Sequence, residues 1–282
     1  MRTVAAPVDD PLDIYRLCAA GYSGDRNARL IAIELTVADD AASFDAKAPS
    51  ADYHLVVARR DVNEGAITVT NDEMKALYSD KLADGPGRPV YDRLRSAARI
   101  CPLCGQRVVS TLDHYLPKSK YPSLSVHPRN LIPACADCNK TKQAKVGTIS
   151  DENTIHPYFD DITSLRWLYA RVTRCSPVVI EYFVDPPIGM ALDLARRVEA
   201  HMVAFGLAAL FSTHAAEELT LIRERLLGLR RGSGFAGLRD YLEDEAESRL
   251  TPRVNNWNGA LYDALARDPW FLESGVLDVP AA

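Results

Sequence analysis

The chain contains no run of about 18 apolar residues, which argues against a membrane-spanning helix. Its start, MRTVAAPVDDPLDIYR, lacks a basic stretch followed by an apolar one. A secretory leader is therefore not expected, and the cytoplasm is the expected compartment. Positive charge is in short supply: 33 lysines and arginines stand against 38 aspartates and glutamates, a net of −5. The molecule as a whole thus lacks the basic field of a protein that coats nucleic acid, and any such contact must be local. Cysteine is scarce as well, six residues in 282, too few for a disulfide scaffold of this size. There is no internal repeat and no low-complexity tract. No G-x-x-x-x-G-K-[ST] occurs either, so an energy-driven step would need a separate ATPase subunit. What remains is an ordinary globular composition, 47% hydrophobic and 25% charged, in a length that suits two domains or one domain with additions.

Apolar spacing divides the chain coarsely. Ile14, Leu17 and Cys18, then Leu30, Ile31, Ile33 and Leu35, recur at helical intervals. Residues 53–58, YHLVVA, read as a short buried strand. Thr70 followed three residues later by Glu73 has the form of a capping box, predicting a helix over 71–82. DGPGRP at 84–89 is a turn signal, and YDRLRSAARI after it predicts a short helix running into Cys101. Residues 167–172 and 178–184 are rich in β-branched and aromatic side chains around a Cys-Ser-Pro turn, which predicts a hairpin. From about 188 onward, Leu192, Ala195, Val198, Met202 and Phe205, then Leu219, Ile222, Leu226 and Leu229, keep helical spacing up to the GSG at 232–234. Two further helices are expected around Leu238 and around Trp257, Leu261 and Leu265. Trp257, Trp270 and Phe271 are read as core.

Four of the six cysteines form two pairs, Cys101-Pro-Leu-Cys104 and Cys135-Ala-Asp-Cys138, separated by the 30 residues 105–134. Two matched pairs suit a closed tetrahedral Zn²⁺ site, which stabilises a fold and keeps no open position for catalysis. Chemistry must then come from what the zinc clamps. Cys18 and Cys175 stand alone and are expected to pack as small apolar groups.

Between the pairs lies LDHYLPKSKYPSLSVHPRNLIP, and Asn139, Lys140 and Lys142 follow the fourth cysteine. The order Cys-x-x-Cys, Leu-Asp-His, Asn-Leu at 130–131, Cys-x-x-Cys, Asn-Lys-x-Lys resembles the HNH endonucleases of the ββα-metal class, in the variety with Asn in the last position. The resemblance covers about 45 residues. It implies a hairpin whose first strand carries Asp113 and His114, a loop with Asn130, and a short helix starting near Cys135 and carrying Asn139. It further implies His114 as general base, Asp113 and Asn139 as ligands of a catalytic Mg²⁺ or Mn²⁺, and Asn130 holding the His114 loop in register. These residue types suit that chemistry. A carboxylate and an amide oxygen are hard ligands, and a neutral imidazole can take a proton from water. Asn139 could alternatively cap the helix. His127 and His156 read as loop histidines bonded to backbone; His54, His201 and His214 read as structural.

Within residues 101–147 seven basic residues (Arg107, Lys118, Lys120, Arg129, Lys140, Lys142, Lys145) face two acidic ones (Asp113, Asp137), a local +5 in a chain of −5. Lys118, Lys120, Arg129, Lys140 and Lys142 are the expected phosphate contacts. Arg88, Arg93, Arg95 and Arg99 either widen that face or belong to a solvated helix. Tyr115 and Tyr121 are expected to pack.

The expected fold class is α+β and mainly helical, in three regions: a mixed N-terminal region (1–85), an HNH core with its four-cysteine structural zinc (86–160), and a hairpin plus helices (161–282). The expected function is metal-dependent cleavage of phosphodiesters, with DNA as substrate. The resemblance extends to stand-alone bacterial HNH proteins of anti-phage defence, often found beside an ATPase, and a homodimer is open. The alternative is a zinc-stabilised nucleic-acid-binding or regulatory subunit without cleavage of its own.

Overall fold

Local sequence signals set most of the helix starts in the computed structural model, which describes residues 1–142 and 146–281. Asp10 accepts hydrogen bonds from the amides of Leu12 and Asp13 and so caps α1 (Pro11–Ala19). Then follow α2 (Gly24–Ala32) and α3 (Glu34–Lys47). The Thr70–Glu73 capping box is formed in full at the start of α4 (Asn71–Ala76). The helix expected over 71–82 is there, but beyond Ala76 it widens into a π-helical stretch, Leu77–Ala83. The turn after it closes tightly: a Cβ on Gly85 would stand 2.5 Å from the carbonyl oxygen of Asp80, so only glycine fits. α5 (Arg88–Ser96) leads to the first cysteine pair.

YHLVVA is not a strand. Residues Tyr53–Leu55 form a 3₁₀ turn, and the strands nearby are β1 (Val62–Glu64) and β2 (Ile67–Val69), an antiparallel pair. Tertiary packing overrides the β propensity here, because the fully buried Tyr53 is taken up by rings from other segments, Phe44 at 5.8 Å and Tyr115 at 4.5 Å between centroids.

β3 (Thr111–His114) and β4 (Leu131–Ala134) pair antiparallel with Asp113 opposite Ile132 and His114 opposite Leu131, and α6 (Ala136–Lys142) packs against β3. This is the ββα arrangement expected of the central segment. Leu112 and Leu131 of the hairpin join an apolar cluster with Ile14, Tyr15, Leu30, Ile33, Met74 and Leu77. The core is therefore continuous across residue 85, where the sequence suggested a boundary. The chain divides instead into two compact units, Met1–Asp161 and Ile162–Ala282.

In the second unit the predicted hairpin is present as β5 (Leu168–Thr173) and β6 (Val179–Val184). α7 (Leu192–Ala204) and α8 (Leu207–Gly232) follow, the latter stopping at the GSG. α9 (Gly234–Leu250), α10 (Trp257–Arg267) and α11 (Pro269–Glu273) complete it. β5 packs on α10 and β6 on α8. The Asn255 side chain accepts from the amides of Trp167 and Leu168 and donates to the carbonyls of Ile162 and Leu165, joining the entry of β5 to the entry of α10. Phe271 is fully buried, while Trp257 and Trp270 are half-buried. Cys18 is buried as expected, but Cys175 is exposed beside the hairpin turn. No helix among the described residues is long and apolar enough to cross a membrane.

Candidate functional site

The two cysteine pairs converge. All four Sγ atoms of Cys101, Cys104, Cys135 and Cys138 lie within 4.8 Å of one another, and all four residues are buried. In a tetrahedral zinc site with bonds of about 2.3 Å the sulfurs stand roughly 3.8 Å apart. The cluster therefore fits a structural zinc. Its turn is built locally: Gly105 takes φ +69°, donates to the Cys101 carbonyl at 2.8 Å, and Cys101 donates to the Arg107 carbonyl at 2.8 Å. At the other pair the Cys138 amide donates to Cys135 Sγ at 3.4 Å.

Asp113 and His114 end the first strand of the same hairpin, and neighbouring strand residues point to opposite faces. His114 packs toward the N-terminal helices, its ring edge-on to Tyr78 with centroids 4.5 Å apart. Asp113 turns toward α6, with Oδ2 3.6 Å from Lys142 Nζ. The His114 ring is buried, and its Nε2 stands 2.8 Å from the Ser125 carbonyl. A carbonyl only accepts, so Nε2 carries the proton and Nδ1 is the nitrogen with the free lone pair. Burial, together with the positive charges of Lys118 and Lys142, pushes the ring's pKa down to about 3.

Asp113 is 6% exposed, and among the described residues its Oδ2 accepts no hydrogen bond. Burial raises its pKa, while Lys142 opposes the shift. A buried carboxylate oxygen without a donor is what a cation ligand offers before its ion is bound. Asn139 is half-buried on the same helix, one turn before Lys142, and so shares the face that α6 turns to the strand end. It lies inside the helix, its amide donating to the Cys135 carbonyl, and is not an N-cap. Asp113 thus presents the kind of oxygen that a hard divalent ion takes.

Asn130 is fully buried. Its Oδ1 accepts from the Leu116 amide at 2.7 Å, and Nδ2 donates to the carbonyls of Leu116 at 3.0 Å and Leu124 at 3.1 Å. Its own carbonyl accepts from the Tyr115 amide. These bonds tie the loop after His114 to the segment that presents the Ser125 carbonyl.

Two of the expected phosphate contacts are placed elsewhere. Lys142 is 5% exposed, and its ammonium donates to the carbonyls of His114 at 2.9 Å and Tyr115 at 2.5 Å. A surface lysine was expected; helix α6 instead carries it under the strand end, where two backbone carbonyls replace its water. Arg129 makes a two-pronged pair with Asp45 of α3, and His127 Nε2 lies 3.3 Å from the same carboxylate. Lys120 and Lys140 are exposed and Lys118 is half-buried; Lys145 lies outside the described residues. Arg88 and Arg95 pair with Asp92 and Arg93 with Asp9, which leaves α5 an ion-paired helix, and Arg107 pairs with Asp137. His127 and His156 accept through Nδ1 from the amides of Arg129 and Tyr158, as loop histidines do. Tyr115 and Tyr121 are both buried.

Sequence reasoning missed Ser125 and Tyr78, which hold the His114 ring. Neither carries a local signal, since each meets the ring only through the fold.

Residues 101–145 match the family model described as HNH endonuclease. The match, the ββα hairpin and the cysteine cluster agree on a zinc-stabilised ββα-metal unit, and they point to a nuclease-type function. Over 220 residues the chain is 29% identical to protein ea31 of Escherichia phage lambda, covering 72% of this chain and 74% of that protein. No solved structure gives a significant match.

Proposed function

We propose that the chain is a metal-dependent endonuclease that hydrolyses phosphodiester bonds in DNA at the Asp113–His114 end of the HNH hairpin. The observation that carries this reading is the state of His114. Its Nε2 is committed to the Ser125 carbonyl, so a neutral ring offers Nδ1 alone as a base. The depressed pKa describes the site without an anion; a phosphodiester beside the ring offsets the neighbouring lysines and raises its proton affinity when water attacks.

In this reading the water oxygen forms a bond to phosphorus as its proton passes to His114 Nδ1. The bond from phosphorus to O3′ breaks, the leaving oxygen takes a proton from solvent, and 5′-phosphate and 3′-hydroxyl ends result. Asp113 and Asn139 would hold Mg²⁺ or Mn²⁺, whose charge stabilises the negative charge developing in the displacement. Asn130 keeps the His114 loop in place, and Lys118, Lys120 and Lys140 are the lysines that contact phosphates. One site cuts one strand, so a double-strand break needs a second copy or a second event. The cytoplasm, an anti-phage setting and a separate ATPase partner belong to this proposal on the sequence alone.

The test is conversion of supercoiled plasmid by zinc-loaded wild type and His114→Ala with Mg²⁺, Mn²⁺ or EDTA. Cleavage by the wild type should require added metal, and His114→Ala should lose about 10²- to 10⁴-fold in rate with its zinc content unchanged. An intact plasmid with zinc-loaded wild type would replace this reading with that of a nucleic-acid-binding or regulatory subunit.

A further inference from the structure

Tyr78 stands outside the HNH segment, in the π-helical stretch after α4, yet it meets two groups of that segment at once. Its ring takes the edge of the His114 imidazole at 4.5 Å, and the Lys118 ammonium lies over the same ring, 4.4 Å from its centroid. The Tyr78 hydroxyl donates to the Leu112 carbonyl of β3 at 3.2 Å, which holds the ring against the strand that ends in His114.

Lys118 is half-buried and makes no ion pair with a carboxylate among the described residues. The charged group that acts on it is another cation, Lys75 of α4; burial and Lys75 both lower its pKa. Lys75 itself is paired with Asp72 at 2.7 Å. The result is a partly desolvated ammonium, seated on an aromatic face, beside a neutral imidazole whose Nδ1 is the free nitrogen. Such a charge is costly unless an anion joins it. The neighbouring loop adds further cations on the surface. Arg59 donates its amide to the Lys120 carbonyl at 2.9 Å, and Asn71 Nδ2 donates to the carbonyls of both Arg60 and Ser119 at 3.0 Å. The exposed side chains of Arg60 and Lys120 therefore continue outward from Lys118.

We propose that Lys118, seated on Tyr78, binds the non-bridging oxygens of the phosphodiester presented to His114, and that Tyr78 is a positioning residue for both side chains. The N-terminal region thereby forms one wall of the phosphate subsite. This rests on the nuclease reading for its cleavage readout but not for its binding readout.

The experiment uses the full zinc-loaded chain with a duplex and a single-stranded DNA oligonucleotide. Binding is measured in EDTA over a range of salt, and single-turnover cleavage with Mg²⁺ or Mn²⁺. Lys118→Met should lower the cleavage rate about 10²-fold and flatten the dependence of log K on log salt by about one. Lys118→Arg should restore both to within about fivefold. Tyr78→Leu should lose roughly tenfold in kcat with little change in KM, and Tyr78→Phe, which keeps the ring but loses its hydrogen bond to the Leu112 carbonyl, should lose less. Lys118→Met with the wild-type salt slope and rate would overturn the proposal, and so would a wild type that binds neither oligonucleotide. A wild type that binds but does not cut, with the flatter slope in Lys118→Met, would overturn the nuclease reading and leave the phosphate subsite standing.

Discussion

Residues 101–142 and residues 162–282 hold themselves together by opposite means. The first stretch puts polar chemistry inside: four cysteines, Asp113, His114, Asn130 and Lys142 are all buried. Asn130, His114 and Lys142 are each tied to the backbone of a neighbouring segment. The second stretch buries apolar helix faces, Leu219, Leu226, Leu238, Leu242, Leu261, Leu265 and Phe271. A hairpin of two four-residue strands and a two-turn helix bury too little apolar area to stand alone. A cysteine cluster at one end and the wall of N-terminal helices at the other replace the missing core. The same substitution leaves polar side chains in the interior, where chemistry can use them.

The strongest way to break this comparison is to take the cysteine cluster apart. Cys138→Ser or chelation should abolish amide exchange protection in residues 101–142 while α8 to α10 keep theirs, because structural zinc in small folds is worth about 10–16 kcal/mol. Equal loss in both stretches would erase the contrast. Phe271→Ala should cost about 3–5 kcal/mol in the second unit and leave zinc content as in the wild type, measured by urea unfolding. Asn130→Ala should cost about 2–3 kcal/mol in the first unit, since it strands the buried amide and carbonyl of Leu116 at about 1–3 kcal/mol each, while the Leu124 carbonyl keeps the His127 amide. A loss under about 1 kcal/mol would mean that water replaces the amide there.

The smallest effect is electrostatic. Burial raises the Asp45 carboxyl, but His127 and Arg129 outweigh it and hold the group at about 2. Its folded value lies below the ordinary 3.8. The stabilisation is therefore present above about pH 4 and is lost as the pH falls through 2. Asp45→Asn should be less stable than wild type by roughly 1–2 kcal/mol at pH 6, and the gap should close toward pH 2. A gap that stays constant with pH would assign the effect to packing.

Much of the first unit's chemistry was legible because it is local in sequence. The two Cys-x-x-Cys pairs stand at a spacing that a hairpin and one helix bring together, and Asp113 and His114 are neighbours on one strand. The Thr70–Glu73 box announced its helix for the same reason. YHLVVA misled because β propensity says nothing of the rings that Phe44 and Tyr115 supply from elsewhere. In the second unit the periodicity of Leu219 to Leu229 and the β-branched runs around residue 175 were enough for helices and hairpin, and carried no sign of function.

By itself the sequence determined the inventory: a zinc-type cysteine set, a histidine beside a carboxylate, and a locally basic segment in an acidic chain. Only the tertiary structure decided which of those charges face water. Lys142 and Arg129 look identical to Lys120 and Lys140 in sequence, yet one lies under the strand end on two carbonyls and the other against Asp45, 84 residues away. The tautomer of His114 was likewise decided by a carbonyl eleven residues on, and its ring environment by Tyr78. Spacing along the chain sets which side chains can be neighbours on one element. Burial and pairing depend on segments that meet only once the chain has folded.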